Sequence, residues 1–445
     1  MDLREEYRKK LRTAEEAVKL VKSGDWVDYS QGLSFPAALD RALAARKGEL
    51  RDVKLRSAIS LRPVQVVEQD PEGESFTFNV WHCSALDRKY LDAGRAFFSP
   101  MLFRYCGRYY ERGYAPVDAA MVTVAPMDDR GYFSYGLTNC TQQELIDAAK
   151  CVIVEVNPHM PVIEGLEADR IHISQVDAVV ENDEPFLHPA PVTVSGIDRR
   201  IAANIFPYLE DGMTLQLGIG GMPNALGSLI AESELRDLGM HTELMSDGYL
   251  TLYRAGKITN AKKELNRGVG VFGICNGSRE LYDFLDRNPD IRSAPMRYIN
   301  DPAVIGQFDK FVSINGCIAF DLYGQVCSET VGTRHISGTG GQLDFVTGAF
   351  EAAHGRAFLA VASTFTDKKG VLHSNILPRF TGGDVITTPR AQAPYMVTEY
   401  GVANLAGMPT WQRAEAIIGL AHPDFREELI RAAEAQRIWR RSNRR

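Results

Sequence analysis

Two open, largely parallel α/β domains are the architecture that the sequence predicts. Short β-branched runs alternate with segments of helical periodicity along most of the 445 residues, and this alternation is typical of a parallel sheet covered by helices. Two of the runs, AAMVTVAP and AKCVIVEV, are apolar on both faces, as strands buried between two helical layers are. The chain is also too long for one ordinary hydrophobic core, so we expect at least two domains.

In the first half, DWVDYS is predicted to be a strand, and FPAALDRALAAR is predicted to be a helix with Pro36 near its first turn. Ser34 precedes this proline by two residues and is expected to cap the helix. The segment Glu181–Gly196 is rich in proline and acid and lacks periodicity, so we interpret it as a linker. The predicted domains are therefore residues 1–186 and 187–445.

After the linker the same alternation resumes. Helices are predicted at DRRIAANIFPYL and PNALGSLIAESEL, and strands at MTLQLGIG, HTELMS, KFVSIN and RAFLAVAST. Two halves of similar size and similar architecture suggest a duplicated plan, although the sequence alone does not demonstrate one.

Composition and charge exclude several classes of protein. Hydrophobic residues at 45% and charged residues at 24% are ordinary for a soluble globular protein. A net charge of −7 argues against nucleic acid as the main partner. No signal-like segment and no apolar run of roughly 20 residues is present, so we expect no membrane association and a cytoplasmic location. The seven cysteines form no C-x-x-C pair and the nine histidines no H-E-x-x-H motif, so no metal is expected.

The stretch LQLGIGGMPNAL places a glycine turn, with Gly218, Gly220 and Gly221, between a strand and a helix that begins near Pro223. Backbone N–H groups of such a turn can approach a ligand, and the helix N-terminus favours an anionic group. A tight turn without a ligand is an equal alternative. A dinucleotide-binding site is a third alternative, because Glu243 lies at about the distance after the turn at which such sites carry a ribose-binding acid. Pro223 in place of the third glycine weakens that interpretation.

Three further motifs carry polar or glycine residues. Gly338, Gly340 and Gly341 in TRHISGTGGQLDFVTGA predict a functional loop, because such a cluster is costly in a regular helix or strand. GLSFP nearly matches the nucleophile elbow of serine hydrolases, but Pro36 replaces the last glycine and nothing singles out a base. Glu399 in VTEYGVANLAG would by itself be interpreted as a surface acid.

Taken in order, five motifs closely resemble the acetyl-CoA hydrolase/transferase family of CoA-transferases: GIGGMPNAL, HTELMSDG, INDPAVIG, VSINGCIAFDLYGQVCSETVGTRHISGTGGQLDFVTGA and VTEYGVANLAG. The resemblance is nearest to butyryl-CoA:acetate and 4-hydroxybutyrate CoA-transferases. EEYRKKLRTAEEAVKLVKSGDWVDY and VAPMDDRGYFSYG extend it to the N-terminal half. It implies two α/β domains of the CoA-transferase type and transfer of CoA between short-chain carboxylic acids.

The resemblance further implies that Glu243 is the nucleophile. Its carboxylate would attack an acyl-CoA thioester and give a mixed anhydride and CoA thiolate. The thiolate would then attack the glutamyl carbonyl, leaving a γ-glutamyl-CoA thioester and a free acid. An incoming acid reverses these steps in ping-pong exchange. Coenzyme A enters as part of the substrate, and neither a metal nor a redox cofactor is required.

Other roles also follow from the resemblance. The Asn300 side chain and the Gly341 N–H would form an oxyanion hole, Glu399 would be a second active-site carboxylate, and Ser34 would be a hydroxyl donor near the acyl group. The residues implied to bind CoA are Gly218, Ile219, Gly220, Gly221, Met222, Ile318, Gly341 and Lys369.

The acyl specificity is left open. Gln31 and Arg62 are polar in segments that are apolar or aromatic in butyrate-using relatives. An arginine could pair with a second carboxylate of the acceptor, which motivates succinate or itaconate as substrates beside butyrate and 4-hydroxybutyrate. The alternative is that Arg62 faces solvent.

Two other functions remain open at this point. One is acyl-CoA hydrolysis through the same intermediate, and the other is non-catalytic binding of CoA or a nucleotide. The resemblance suggests a homodimer or a larger homo-oligomer.

Overall fold

The computed structural model describes residues 2–188, 192–440 and 442. In chain order, the strands are β1 Trp26–Tyr29, β2 Val53–Ser57, β3 Phe76–Val80, β4 Phe97–Phe98, β5 Ala119–Val124, β6 Tyr132–Ser134, β7 Cys151–Val156, β8 Arg170–His172, β9 Ala178–Glu181, β10 Thr214–Leu217, β11 Gly239–Met245, β12 Gly270–Cys275, β13 Ile291–Ser293, β14 Phe311–Gly316, β15 Ala319–Asp321, β16 Val326–Cys327, β17 Thr330–Val331, β18 Arg334–His335, β19 Arg356–Ala360, β20 Thr364–Thr366, β21 Leu372–Ser374, β22 Ile376–Leu377, β23 Tyr395–Thr398 and β24 Gly401–Asn404.

The α-helices are α1 Leu3–Lys10, α2 Ala14–Ala17, α3 Ala37–Ala44, α4 Gln65–Glu68, α5 Ala85–Asp92, α6 Cys106–Glu111, α7 Gln142–Ala148, α8 Gly196–Ile205, α9 Gly221–Glu232, α10 Asp247–Arg254, α11 Arg279–Leu285, α12 Met296–Ile299, α13 Pro302–Ile305, α14 Gln342–Glu351, α15 Thr410–Leu420 and α16 Pro423–Ala435. Short 3₁₀ turns occupy Val18–Leu20, Gly32–Ser34, Phe103–Tyr105, Ile173–Gln175 and Phe206–Tyr208.

The chain forms two compact units. The first comprises Met1–Pro189 together with Val271–Ile299, and the second comprises Ala190–Gly270 together with Asn300–Arg445. The predicted boundary after residue 186 lies close to the end of the first of these segments. No pattern in the sequence predicted that residues 271–299 belong to the first unit. Within the predicted linker, residues 189–191 lie outside the described residues.

The first unit is built around a sheet with the strand order β4-β3-β2-β1-β5-β7-β9, in which all neighbours are parallel. The register pairs Val27 of β1 with Leu55 of β2 on one side and Ala119 of β5 on the other. Every residue of β5 is buried, as expected of a strand with helices on both faces. Val27, Leu55 and Met121 lie in the core of this unit.

The strands of the second unit follow the order β11-β10-β14-β19-β23-β24. All pairs are parallel except β23 with β24, which form an antiparallel hairpin at the edge. The first strand of this unit, β10, lies between β11 and β14, just as β1 lies between β2 and β5 in the first unit. The same central order in both sheets supports the duplicated plan. It also confirms the predicted fold class of two open, largely parallel α/β domains.

Most of the predicted elements are present, with shifted boundaries. The strands predicted at DWVDYS, AAMVTVAP, AKCVIVEV, MTLQLGIG, HTELMS, KFVSIN and RAFLAVAST correspond to β1, β5, β7, β10, β11, β14 and β19. The predicted helix after MTLQLGIG begins at Gly221 rather than Pro223. The capping role predicted for Ser34 is wrong: Ser34 lies in a 3₁₀ turn, and α3 begins after Pro36 without a side-chain cap.

Among the described residues, no helix combines the length and apolar character needed to cross a membrane. Within the same part of the chain, no group of three or more His, Cys, Asp or Glu side chains is arranged to hold a metal ion.

Candidate active site

The carboxyl ends of five parallel strands share one edge of the second sheet. The chain moves from β10 to β11 in one direction and later continues from β14 in the other, so the sheet has a topological switch point between β10 and β14. Ligands of open α/β sheets bind outside the carboxyl ends of the strands at such a point. Glu243 lies near the carboxyl end of β11, the Gly218–Met222 turn follows β10, Ile318 follows β14 and Glu399 follows β23.

Glu243 is half-buried near the end of β11. Its Oε2 accepts a hydrogen bond of 2.5 Å from Nδ2 of Asn300. Loss of hydration raises the pKa of the Glu243 carboxyl to about 7, and the hydrogen bond from Asn300 offsets only part of that rise. Such a carboxylate is more basic than an ordinary surface glutamate, and more nucleophilic for the same reason.

Asn300 is fully buried and lies directly before Asp301, the N-cap residue of α13. Its Nδ2 is committed to Glu243, while its Oδ1 has no hydrogen-bond partner among the described residues. An amide held in this way can present an N–H to negative charge that develops on an atom next to Glu243.

Gly341 is the N-cap residue of α14 and has an ordinary φ of −103°, so its backbone conformation does not require glycine. The space does. A Cβ at this position would collide with Oε2 of Glu243 and with Nδ2 of Asn300. The backbone of Gly341 therefore lies against both side chains at the positive end of a helix, where negative charge is stabilised. Glu243, Asn300 and Gly341 form one group, which we call the Glu243 site.

Glu399 lies in the turn between β23 and β24 and is half-buried rather than a free surface acid. Its Oε1 accepts a 2.6 Å hydrogen bond from the Ser363 hydroxyl, and its Oε2 accepts a 2.9 Å bond from the Ser363 backbone N–H. Ser363 follows β19 and is fully buried. Ser363 was not predicted as a site residue, because a serine after a strand has no distinctive sequence pattern.

The Gly218–Met222 turn leads from β10 into α9. Gly220 has a φ of +122° with open space around its Cβ position, so only glycine adopts this conformation without strain. Ile219 is 63% exposed, whereas Met222 is buried. A Cβ on Gly221 would meet the Asp198 carboxylate. The turn thus combines exposed backbone, an exposed apolar side chain and the N-terminus of a 12-residue helix, which suits a ligand with both anionic and apolar parts.

Ile318 and Lys369 are the two other residues expected to bind CoA. Ile318 is half-buried, and its N–H donates to the carbonyl of Cys327. Lys369 is exposed in the turn between β20 and β21, where its backbone N–H donates to Asp367 Oδ1. An exposed lysine on a hairpin turn is suited to a phosphate group, but it shares no bond with the Gly218–Met222 turn.

In the first unit, Ser34 and Gln31 follow β1 on the carboxyl side. Ser34 is fully buried, and its hydroxyl has no hydrogen-bond partner within the described part of the chain. Gln31 is buried, and its Nε2 donates to Cys140 Sγ and Thr141 Oγ1. Both side chains therefore lie inside the unit.

Arg62 does not face solvent as a free cation. Its Nη1 lies 2.8 Å from Glu184 Oε2, and Arg41 pairs with the other oxygen of the same carboxylate. The expected pairing of Arg62 with a second carboxylate of a substrate would therefore have to displace Glu184, which lies 122 positions away in the sequence.

The side chain that follows Gly341 is held on both sides. The Gln342 Oε1 accepts a 2.8 Å bond from the Ser328 hydroxyl, and its Nε2 donates a 2.9 Å bond to Thr388 Oγ1. These bonds fix the first turn of α14 behind Gly341. None of these three residues was predicted as a site residue, since hydrogen bonds across 14 and 46 positions leave no local signal in the sequence.

The chain matches known proteins over most of its length. Residues 1–188 match the acetyl-CoA hydrolase/transferase N-terminal domain, and residues 277–433 match its C-terminal domain. A butyryl-CoA:acetate CoA-transferase of Anaerostipes caccae is 46% identical over the full length of both chains. A 4-hydroxybutyrate coenzyme A transferase of Clostridium kluyveri is 37% identical, with 97% of this chain and 98% of that protein covered.

Among solved structures, RipA from Yersinia pestis superposes with a TM-score of 0.91 at 36% identity, covering 98% of this chain and 100% of that one. The chain belongs to the acetyl-CoA hydrolase/transferase family. It is an enzyme of the CoA-transferase class.

Proposed function

We propose that this enzyme transfers CoA between short-chain carboxylic acids by ping-pong exchange, with Glu243 as the nucleophile. The observation that carries the proposal is the Glu243 site itself, in which a partly dehydrated carboxylate with a raised pKa touches an amide N–H and the start of a helix. An isolated surface acid or a ribose ligand needs neither the dehydration nor the two neighbouring donors.

In the first half-reaction the Glu243 carboxylate attacks the thioester carbonyl, and the C–S bond breaks to give a mixed anhydride and CoA thiolate. The thiolate then attacks the glutamyl carbonyl of the anhydride and expels the free acid, which leaves a γ-glutamyl-CoA thioester. An incoming acid runs these steps in reverse. The thioester energy is conserved, because no step consumes water.

Each attack passes through a tetrahedral oxyanion, for which the Asn300 amide and the Gly341 backbone N–H are the proposed donors. The glycine is needed because any side chain would occupy the place of Glu243 and Asn300. Glu399, which is held by Ser363, is proposed to orient substrate, and Ser34 is proposed as a hydroxyl donor near the acyl group. The Gly218–Met222 turn, with Ile318 and Lys369, is proposed to bind CoA.

The two relatives compared above are named for monocarboxylic acids, whereas a relative from Geobacter metallireducens that is 40% identical is named for succinyl-CoA and cyclohexane-1-carboxylate. Butyrate and acetate are named for the relative that is 46% identical, and 4-hydroxybutyrate for the one that is 37% identical. A dicarboxylate such as succinate or itaconate has weaker support, because the Arg62 guanidinium is already engaged by Glu184. We propose butyrate, acetate and 4-hydroxybutyrate as the acids to test first.

Neither a metal nor a redox cofactor has a role in this proposal, so a chelator should leave the activity unchanged. A homodimer or larger homo-oligomer in the cytoplasm stays a prediction.

The proposal is tested by steady-state kinetics with butyryl-CoA and acetate. Glu243→Gln should lower kcat by on the order of 10³-fold or more, since loss of a nucleophile removes the covalent route. Glu264→Gln, a change of an exposed glutamate in the same unit, serves as the matched control and should leave kcat unchanged. Full activity of Glu243→Gln would exclude Glu243 as the nucleophile.

Acyl-CoA hydrolysis through the same intermediate is the second candidate, since the family name includes hydrolases. Release of free CoA from butyryl-CoA without an acceptor acid separates the two activities. A transferase shows slow release that acetate converts into rapid formation of acetyl-CoA, whereas a hydrolase releases CoA at the same rate with or without acetate.

A further inference from the structure

The backbone of residues 328–342 leads from β16 to the Glu243 site. It forms the short hairpin of β17 and β18 and then runs through residues 337–341, here called the glycine segment, to the start of α14. Gly338, Gly340 and Gly341 leave this segment with little intrinsic stiffness. An oxyanion donor, however, must be held within a fraction of an ångström of its working position. Contacts outside the three glycines must therefore fix the segment.

One such contact comes from Glu329, which directly precedes β17 and is only 4% exposed. Its Oε2 accepts a 3.1 Å hydrogen bond from the hydroxyl of Thr339, which lies in the middle of the glycine segment. Glutamate is seldom buried to this extent, because its carboxylate loses hydration. None of the roles assigned so far explains why an acid is buried here.

The backbone around Glu329 binds the start of the same segment. The Glu329 carbonyl accepts hydrogen bonds from the N–H groups of Ile336, at 2.7 Å, and Ser337, at 3.3 Å. The Ser337 hydroxyl donates a 2.7 Å bond to the carbonyl of Ser328. These bonds do not involve the Glu329 side chain, so they fix the segment as far as Ser337 whatever residue occupies position 329.

Further along, the hydroxyl bond of Thr339 holds the segment two residues before Gly341. Gly340 alone separates these two residues. It has a φ of +55°, and a glycine changes its backbone conformation at little cost. After Gly341, the two side-chain hydrogen bonds of Gln342 fix the first turn of α14. Gly341 is thus held from both directions, and the Glu329 side chain supplies the hold on the N-terminal side.

We propose that Glu329 is a positioning residue for CoA transfer. Through the hydroxyl of Thr339 it holds the glycine segment, so that the Gly341 N–H stays directed at the oxyanion beside Glu243. Its effect is indirect, since the Glu329 carboxylate bonds to Thr339 and not to a reacting atom. The inference rests on the proposed function, in which Gly341 is an oxyanion donor.

The hydrogen bond from Thr339 requires an acceptor oxygen at position 329, which Glu329→Ala removes. With butyryl-CoA and acetate, kcat should fall about tenfold in this variant, because a displaced donor stabilises the transition state less. KM for butyryl-CoA should stay within about twofold, since binding of the substrate is unaffected. Glu329→Gln keeps a carbonyl oxygen and should recover most of the lost rate. Glu264→Ala, at an exposed position of the same unit, is the control and should leave kcat unchanged.

A double variant separates the loss of this bond from a general effect of either substitution. Thr339→Val removes the donor and keeps the shape of the side chain, so it should lower kcat by about the same factor as Glu329→Ala. The two substitutions together should be no slower than either alone, because both remove the same hydrogen bond. Losses that multiply in the double variant would mean that the two residues act independently and would overturn the proposal.

Amide hydrogen exchange of residues 337–341 gives a measurement that does not depend on the reaction. Exchange should be faster in Glu329→Ala and Thr339→Val than in the wild type, and largely restored in Glu329→Gln. Unchanged exchange, or faster exchange with unchanged kcat, would overturn the proposal. If Glu329→Ala does not fold, Thr339→Val tests the same bond. Failure of the proposed function would instead appear as full activity of Glu243→Gln, which leaves the exchange data unaffected.

Discussion

The chemistry proposed for Glu243 depends on an environment that disfavours its charge. Loss of hydration raises the pKa of this carboxyl to about 7, against a single stabilising hydrogen bond from Asn300. A carboxylate that is costly to ionise is a stronger nucleophile once it is ionised. Because ionisation of Glu243 is costly, both the reaction rate and the free energy of unfolding should depend on pH.

The first concerns the reaction. Only the ionised Glu243 attacks, so kcat/KM for acyl-CoA should rise with pH through a single ionisation near 7. Below that pH it should fall about tenfold for each unit. A pH–rate profile measured from about pH 5 to 9 checks this. A rate that is constant between pH 5 and 8 would mean that the attacking group has an ordinary carboxyl pKa or is not Glu243.

The second concerns stability. The pKa of Glu243 is higher in the folded state than its ordinary value of 4.5, so the folded state holds the proton more tightly. Ionisation therefore destabilises the fold progressively as the pH rises from 4.5 through 7. Glu243→Gln removes this penalty and should be roughly 1–3 kcal/mol more stable than the wild type at about pH 8.

Denaturant unfolding at about pH 8 and pH 5 measures this difference. The gain in the free energy of unfolding from Glu243→Gln should be clearly smaller at the lower pH, where the wild-type carboxyl is protonated. An equal gain at both values would show that the Glu243 carboxyl is not dehydrated in the folded state.

Gly341 offers a separate test at the residue scale. Its added Cβ in Gly341→Ala would force Glu243 and Asn300 apart, so kcat should fall by on the order of 10²-fold, as on loss of an oxyanion-hole donor. Gly419→Ala in α15 meets nothing within 4 Å and should leave kcat unchanged. Comparable activities of the two variants would place Gly341 outside the reaction.

At the scale of elements, α14 acts as the support of the site. Its first residue, Gln342, is fixed by Ser328 on one side and Thr388 on the other. This bonding holds the Gly341 backbone in place against Glu243. If the first turn of α14 frayed, the Gly341 N–H would no longer be held in position to stabilise the oxyanion, although no reacting group would have changed.

Thr388→Val removes the acceptor for the Gln342 amide and keeps the shape of the side chain. The loss of one neutral hydrogen bond of roughly 1 kcal/mol should lower kcat about fivefold and leave KM nearly unchanged. Thr347→Val on α14 removes a hydroxyl that bonds the carbonyl of Leu343 and is the control. If both variants lose kcat equally, general loosening of the helix explains the effect rather than the position of Gly341.

The strands show which elements can be predicted from sequence patterns and which cannot. The strands β5 and β7 were predictable because their runs are apolar on both faces, as in strands that are covered by two helical layers. The strands β1, β10, β11, β14 and β19 were predictable because short runs rich in β-branched or apolar residues alternate with segments of helical periodicity. The strand β2 was not predicted, since its sequence VKLRS contains two cations. One of these, Arg56, is buried because it pairs with Asp28 and stacks on aromatic rings. Such compensation depends on residues far away in the sequence.

At the scale of the whole molecule, the family and the two-domain architecture were accessible from ordered motifs, while pairings across the chain were not. The segment 271–299 joins the first unit despite its position in the second half. The partner of Arg62 is Glu184, 122 positions away. A Cβ at position 341 would collide with the side chains of Glu243 and Asn300, which lie 98 and 41 positions earlier in the sequence. Local periodicity carries no information on contacts of this range.

Covalent capture of CoA on Glu243 can be detected in the intact mass of the enzyme after incubation with butyryl-CoA and no acceptor acid. Peptide mapping then locates any adduct. We expect a mass gain equal to CoA less one water on the peptide that contains Glu243, and we expect acetate to reverse it. An adduct on another acid such as Glu399, or no adduct in an enzyme that still transfers CoA, would contradict it.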